Sequence, residues 1–491
     1  MKVSDSERLS DFHKIFITIK IFDSMKKLTL ITIALIFASF STFAQNFRTG
    51  YFLDGYMYKY QLNPAFQGER GFFALPALGG VSVGLETNLS YGTFVYPTDN
   101  QMLTFLHPSV SDEQFMSKIK SDNPINANLD LNLLAVGFRT KNMYHTIDFS
   151  LKGNVHAAVP GDLFRFLKVG GSDGNPVYDL SSLNLDLSVY SQLAYGFSIK
   201  IKDFMSVGVR AKFLMGMQTV QSNIDALQLS LQPEKWTLNA GGHIVASSMV
   251  AGLLNNDMGD MSSEIQAIFK NPGLGAAFDL GVSFDFLKHF TVSASVLDLG
   301  FIYWKNLSKQ GIASTSWEYS GFDNIAGGEG NDVNAQLDSK LEELKSVFKF
   351  EDMGVVDKHI QKLGITTMLG LEFRMPFYNR LSIGALGTHR FEGPNSWTEG
   401  RFSLNIAPLR WLSLSANYAI STFGHAYGAA LNIHPKGFNL FVGLDSFKPL
   451  LNVTPKFIPI DSWNTNAKFG ITFPFGKYNG RYPKKEKTAE N

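Results

Sequence analysis

The sequence predicts an all-β fold: a transmembrane antiparallel β-barrel of about fourteen strands, with an N-terminal plug and short helices in its outer loops. Three observations predict it. Segments of roughly ten residues alternate apolar and polar side chains, the pattern of a barrel wall. They come in pairs joined by tight turns, with longer connections between the pairs. An export signal precedes them, and no later stretch is long and apolar enough for a spanning helix. In one such segment Val207, Val209, Ala211, Phe213, Met215 and Met217 share a face, whereas Ser206, Gly208, Arg210, Lys212, Gly216 and Gln218 fall mostly on the other. A soluble β-sandwich would turn the apolar face onto a second layer; a membrane barrel turns it to lipid and lines its lumen with the polar face. Export decides for the barrel.

The export signal is complete. Met25-Lys26-Lys27 is a short basic region, 28–40 is an apolar run of 13 residues, and Thr42-Phe43-Ala44 presents small residues where a signal peptidase reads. Residues 1–44 are therefore expected to be the signal peptide, with 1–24 an over-extended start and cleavage before Gln45. Residues 45–79 carry Tyr51, Tyr56, Tyr58 and Tyr60, then Leu62-Asn63-Pro64-Ala65-Phe66. This stretch precedes the wall at its periplasmic mouth, either as a plug folded into the lumen or as an ordered periplasmic lead-in. The barrel is expected over 80–476, with 477–491 a polar periplasmic tail.

Fourteen strands are expected near 80–95, 128–140, 143–157, 183–201, 204–221, 273–287, 290–304, 363–375, 380–392, 399–407, 411–421, 425–434, 438–447 and 464–476. The number is even, as in bacterial barrels. Lys141-Asn142, Lys202-Asp203, Lys288-His289, Tyr378-Asn379, Pro408-Leu409-Arg410 and Pro435-Lys436-Gly437 are all short turns. The connections 96–127, 158–182, 222–272, 305–362 and 448–463 are long and fall at the opposite end. Barrels keep short turns in the periplasm and long loops outside, which puts both termini in the periplasm. Within the long connections, 226–247 reads as a hairpin in an outer loop. The second strand is apolar on both faces between Leu129 and Phe138, so its phase is open.

Three outer stretches read as helices. Ser111-Asp112-Glu113-Gln114 opens like a capping box ahead of Phe115, Met116 and Ile119. Ser262 or Ser263 is placed to cap a turn with Ile265, Ile268 and Phe269, and Leu337, Leu341, Leu344, Val347 and Phe348 form a helical stripe from about Asp338.

Composition excludes several function classes. The chain has no cysteine, hence no disulfide, thiolate metal site or lipoprotein anchor. A net charge of +1 gives no case for nucleic acid. The histidines are scattered, and neither His-Glu-x-x-His nor Gly-x-Ser-x-Gly occurs, so no enzyme, cofactor or metal is expected. Gly327-Gly328-Glu329-Gly330-Asn331-Asp332 lacks the lysine and serine of a phosphate loop, and Asp323, Asp332 and Asp338 are too far apart for a calcium loop. The remaining candidates are charges whose parity points them into the lumen: Asp148, Lys152, Asp186, Arg210 and Lys212, and, further along, Asp279, Asp285, Glu372, Arg374 and Arg401. Both signs occur. They read either as a salt-bridged, hydrated interior or as a polar route for a solute.

The signal peptide, the early Asn63-Pro64-Ala65 motif and the strand count together resemble little-characterised Gram-negative outer-membrane barrels related to the long-chain fatty-acid transporter. That set includes barrels associated with type IX secretion and gliding. The resemblance is architectural over 45–476, and residues 45–79 match the transporters' N-terminal hatch in position. It implies an outer-membrane location, surrounding lipid as a partner, and binding or passage of a hydrophobic small molecule. Its alternative implication is a non-transporting barrel that scaffolds secretion or surface proteins. It assigns no individual ligand-binding residue here.

Overall fold

The computed structural model describes residues 47–76, 78–98, 101–172, 174, 176–247, 273–321, 333–347, 351–447 and 464–479. In it the alternating segments pair edge to edge until the sheet closes on itself. The first stave, β1, is split into Gly71–Ala74 and Val81–Thr87, both lying between the same two neighbours. Then follow β2 (Asp122–Thr140), β3 (Met143–Pro160), β4 (Asn184–Lys202), β5 (Met205–Leu231), β6 (Gly273–Phe286) and β7 (Phe290–Trp304). β8 is again split, into His359–Lys362 and Ile365–Arg374. The wall continues through β9 (Leu381–Phe391), β10 (Trp397–Leu409), β11 (Leu412–Ser421), β12 (Gly424–Ile433), β13 (Asn439–Phe447) and β14 (Thr465–Phe475). Each stave is antiparallel to the next, and β14 returns to β1 with Gly71 opposite Phe475 and Val81 opposite Phe469. The result is a closed fourteen-stranded barrel, so no edge is left in the wall.

The outer faces are apolar and exposed, as a lipid-facing band must be: Phe213, Leu369 and Phe402 are 55%, 63% and 60% accessible. The long connections all fall at one end and the other end has only short turns, as the spacing predicts, but the long-connection end also holds two short links, 392–396 between β9 and β10 and 422–423 between β11 and β12. The signal peptide and the expected helix at Ser262 or Ser263 lie outside the described residues.

Four local features depart from the expectation or complete it. The first stave begins at Gly71, and Phe72 in its first half is fully buried against Tyr58 and Tyr60. In β2 a bulge between Asn132 and Leu134 swaps the faces: Asn128, Asp130 and Asn132 point inward before it, Ala135 after it, and Leu134 and Val136 are exposed. One extra residue reverses the alternation, which is why no single phase fits that strand. β5 runs on beyond the wall as one arm of the expected hairpin, pairing with Trp236–Ala246. That arm pairs in turn with Leu307–Tyr319 and this with Glu351–Val356, both read from sequence as loop. The strand Leu307–Tyr319 is largely polar because it stands clear of the lipid zone, so it lacks the apolar alternation that marks a stave.

The outer helices pack on the rim and on each other. Ser111 caps Asp112–Met116 through Gln114 N–H at 3.1 Å, and Phe115 is buried with Leu89, Tyr96, Leu103 and Phe164. Phe164 comes from a helix the sequence did not signal, Gly161–Val169, which follows β3 without a loop. The stripe near Asp338 is the helix Val333–Val347, whose Val347 lies on Leu238 and Ala240.

Candidate functional site

The lumen is filled from the short-turn end by the chain's own first described residues. Between Phe47 and Phe66 the backbone makes two 3₁₀ turns, Arg48–Gly50 and Met57–Gln61, and buries Phe47, Leu53, Tyr56, Tyr58, Tyr60 and Leu62 against inward faces of the staves. Polar anchors come from around the barrel. Gln61 donates to Asn132 Oδ1 at 2.8 Å on β2, Ser295 of β7 donates to the Leu62 carbonyl at 2.7 Å, and Asn439 of β13 donates to the Gly55 carbonyl at 2.9 Å. Tyr51 OH meets Ser293 Oγ at 3.0 Å.

The Asn63-Pro64-Ala65 motif has a definite mechanical role here. Asn63 is fully buried; its Oδ1 accepts from Ala65 N–H at 2.9 Å, closing a local turn. Its amide donates to the carbonyls of Ala294 at 3.1 Å and Val282 at 3.3 Å. Pro64 lies on Gly208 and Asn63 on Gly281, and a Cβ on either glycine would fall far inside van der Waals contact with the segment. Those wall positions must be glycine for the segment to approach so closely.

Charges hold the segment. Arg48 is 2% exposed and pairs with Glu86, with Glu399 at 3.3 Å and with Asp445 at 3.8 Å. The Asp445 carboxylate also accepts the backbone N–H groups of Arg48 and Thr49 at 2.7 and 2.6 Å. Arg401 pairs with Glu399 at 2.9 Å and donates to the Asp445 carbonyl at 2.8 Å. Across the lumen Arg210 bridges Asp148 and Asp279, and Lys212 contacts Asp279 and Asp298, each at 2.6 Å. A bulge opposite Asp279 gives Asp298 a left-handed φ of 61° and turns it to this group. Lys152 pairs with Asp130 at 2.7 Å. Such pairs are expensive to break one partner at a time, because the survivor is left buried and uncompensated.

Of the sequence-predicted charges, Asp148, Lys152, Arg210, Lys212, Asp279 and Arg401 lie in these networks. Glu372 and Arg374 pair with each other at 2.8 Å near the short-turn end, where Arg374 reaches Asp54 of the segment at 3.4 Å. Asp186 lines a cavity described below. Asp285 keeps the inward phase of β6 but sits at its exposed end, bonded to Thr291 and away from the lumenal groups. The strand overshoots the lumen there, so parity alone misplaces it. The sequence reading missed Arg48, Glu86, Asp130, Asp298, Glu399, Asp445, Arg390, Glu392 and Lys468. Glu399 two residues before Arg401, Lys468 in the polar phase of β14, and Glu86 in the polar phase of Val81–Thr87 with Ser82 and Gly84 carried a legible signal; Arg48 carried none.

At the short-turn end His434 contacts Ser413 Oγ at 3.1 Å and packs on Gly55 of the segment. Burial holds its imidazole down at about 4, with the Asp54 carboxylate opposing and Arg70 and Lys59 adding to the depression.

On the long-connection side of the segment lies a cavity of about 490 Å³. Its charged lining includes Arg48, Asp130, Lys152, Asp186, Asp298, Arg390 and Glu392; Leu187, Tyr190, Ile365, Met368 and Trp397 add apolar surface. Arg390 pairs with Glu392 at 2.6 Å, and His156 lies 3.4 Å from Glu392. Among the described residues no group of three or more His, Asp or Glu side chains is placed to hold a metal.

Residues 64–445 match DUF5723, a family of unknown function, and the chain belongs to that family. No curated protein matches the sequence. Among solved structures the chain is similar to the toluene transporter TbuX of Ralstonia pickettii, at 9% identity and a TM-score of 0.41, covering 85% of this chain and 94% of that one. It is similar to the toluene transporter TodX of P. putida, at 9% identity and a TM-score of 0.41, covering 84% and 93%. A Pseudomonas aeruginosa FadL homologue matches at 11% identity and a TM-score of 0.35, covering 84% and 91%.

Proposed function

We propose that this member of the DUF5723 family is an outer-membrane barrel that binds a small hydrophobic molecule bearing a polar head, in the cavity above its N-terminal segment. The cavity carries the proposal: charged side chains and apolar ones share its lining, the surface an amphiphile fits. Passage to the periplasm then requires the segment to yield, since it fills the short-turn half of the lumen. No catalytic step belongs to this reading. The test is mass spectrometry of small molecules extracted from the barrel purified in mild detergent, against an unrelated barrel from the same membranes. An enriched amphiphile is expected; a blank at full protein recovery overturns the reading.

A second reading rests on a separate observation. The sheet that β5 carries beyond the wall, with Trp236–Ala246, Leu307–Tyr319 and Glu351–Val356, exposes Met353 and Val355 on its last strand. It supports a scaffold for surface or secretion proteins. Crosslinking in cells from a photoreactive residue at 353 would capture one reproducible partner; capture no richer than from a lipid-facing position overturns it.

A further inference from the structure

Resting on the amphiphile reading above, we infer that the cavity selects a cationic head group, a protonated amine, with Asp186 as its counter-ion. Nearly every inward charge of the lining already has an opposite partner in the protein. Arg48 is held by Glu86, Glu399 and Asp445; Lys152 by Asp130; Asp298 by Lys212; and Arg390 by Glu392. Lys362 also lines the cavity, but it is exposed beside the buried Gln361, where water screens its charge. Asp186 has only amides: Asn395 Nδ2 donates to it at 3.1 Å, with Asn184 and Gln221 beside it, and among the described residues it forms no ion pair. The charge that acts on it is Glu392, a like charge. His156 donates from Nδ1 to Asn126 Oδ1, 2.9 Å away, and with that imidazole neutral the corner made by Asp186, Glu392 and Arg390 carries one net negative charge. A charge withdrawn from water asks for a partner, and an ammonium group, a compact cation with three donors, supplies one to Asp186.

A second observation points the same way. Asn128 lines the cavity, is 3% exposed, and its amide NH₂ has no partner. It lies two residues along β2 from Asn126, in the rung Asn128–Asn154–Ser188, whereas Asp186 is in the rung of Asn126 and His156. A buried amide without a partner needs an acceptor from the occupant, such as a hydroxyl or carbonyl close to the amine. Leu187, Tyr190 and Met368 take the apolar part.

The test uses the full-length barrel in lipid nanodiscs and three probes with one tail: hexylamine, hexanoate and hexyl glucoside, measured by calorimetry at neutral pH. The expected result is that hexylamine binds at least about tenfold more tightly than the other two, and that Asp186→Asn removes that preference. Preference for hexanoate or for the glucoside overturns the cationic assignment and leaves the amphiphile reading standing. Binding of none of the three overturns both. The head-group comparison on the unsubstituted barrel decides the matter even if the variant folds poorly.

Discussion

Replacing Arg48 with methionine keeps the length and apolar stem of the side chain and deletes its charge. In the folded barrel this leaves Glu86, Glu399 and Asp445 facing one another with Arg401 as the remaining ion-pair partner among the described residues, at positions 3%, 3% and 0% exposed. Removing one partner of a buried ion pair costs roughly 3–5 kcal/mol. When the segment lifts out, water reaches those carboxylates, so most of that cost falls on the docked state alone. At about 1.4 kcal/mol per tenfold, the undocked population rises by roughly two to three and a half orders of magnitude. The absence of native cysteine provides the assay: Thr49→Cys, a near-isosteric change at a position 2% exposed, is labelled by a small maleimide only when the segment opens. Labelling should accelerate by at least about a hundredfold in Arg48→Met over the Thr49→Cys parent. Planar-bilayer recordings should add conductance steps that the parent lacks. Unchanged labelling with a silent bilayer would overturn the claim that this ion network holds the lumen shut.

Acidification acts on the same segment from its other end. The His434 imidazole titrates at about 4 when folded against an ordinary value of 6.5, so the unfolded state takes the proton first; stability is complete above about 6.5 and falls as pH drops toward 4. The full effect is about 3 kcal/mol, and hydrogen exchange of 54–56 should speed up across that window in the parent but not in His434→Gln. Gly281→Val pushes a side chain into Asn63 and should cost roughly 1–3 kcal/mol of segment docking, seen as faster maleimide labelling in the Thr49→Cys background with unchanged heat-modifiable gel mobility of the barrel. Phe213→Arg places a charge on the lipid face and should cost roughly 2–4 kcal/mol in refolding titrations, although its neighbour Lys212 is already a buried cation.

The wall is legible in the chain before it folds. Side chains in a strand alternate with a period of two, and lipid and water demand opposite polarities. Local pattern alone therefore marks each stave, its two faces and, through the parity of short and long connections, the even count. It also places Arg210, Lys212, Asp279 and Asp148 on the inner face, where they are. What remains depends on closure of the sheet. Arg48 meets Glu86, Glu399 and Asp445 only because staves far apart in the chain curve round one lumen, and no local pattern encodes that meeting. The bulges that reverse β2 and turn Asp298 inward each depend on one extra residue between paired strands, visible only once the partner strand is present. Likewise, Asp186 is distinguished from its equally inward neighbours by the lack of an opposite charge beside it. That is a property of its surroundings in space, set by which side chains the closed barrel brings within reach.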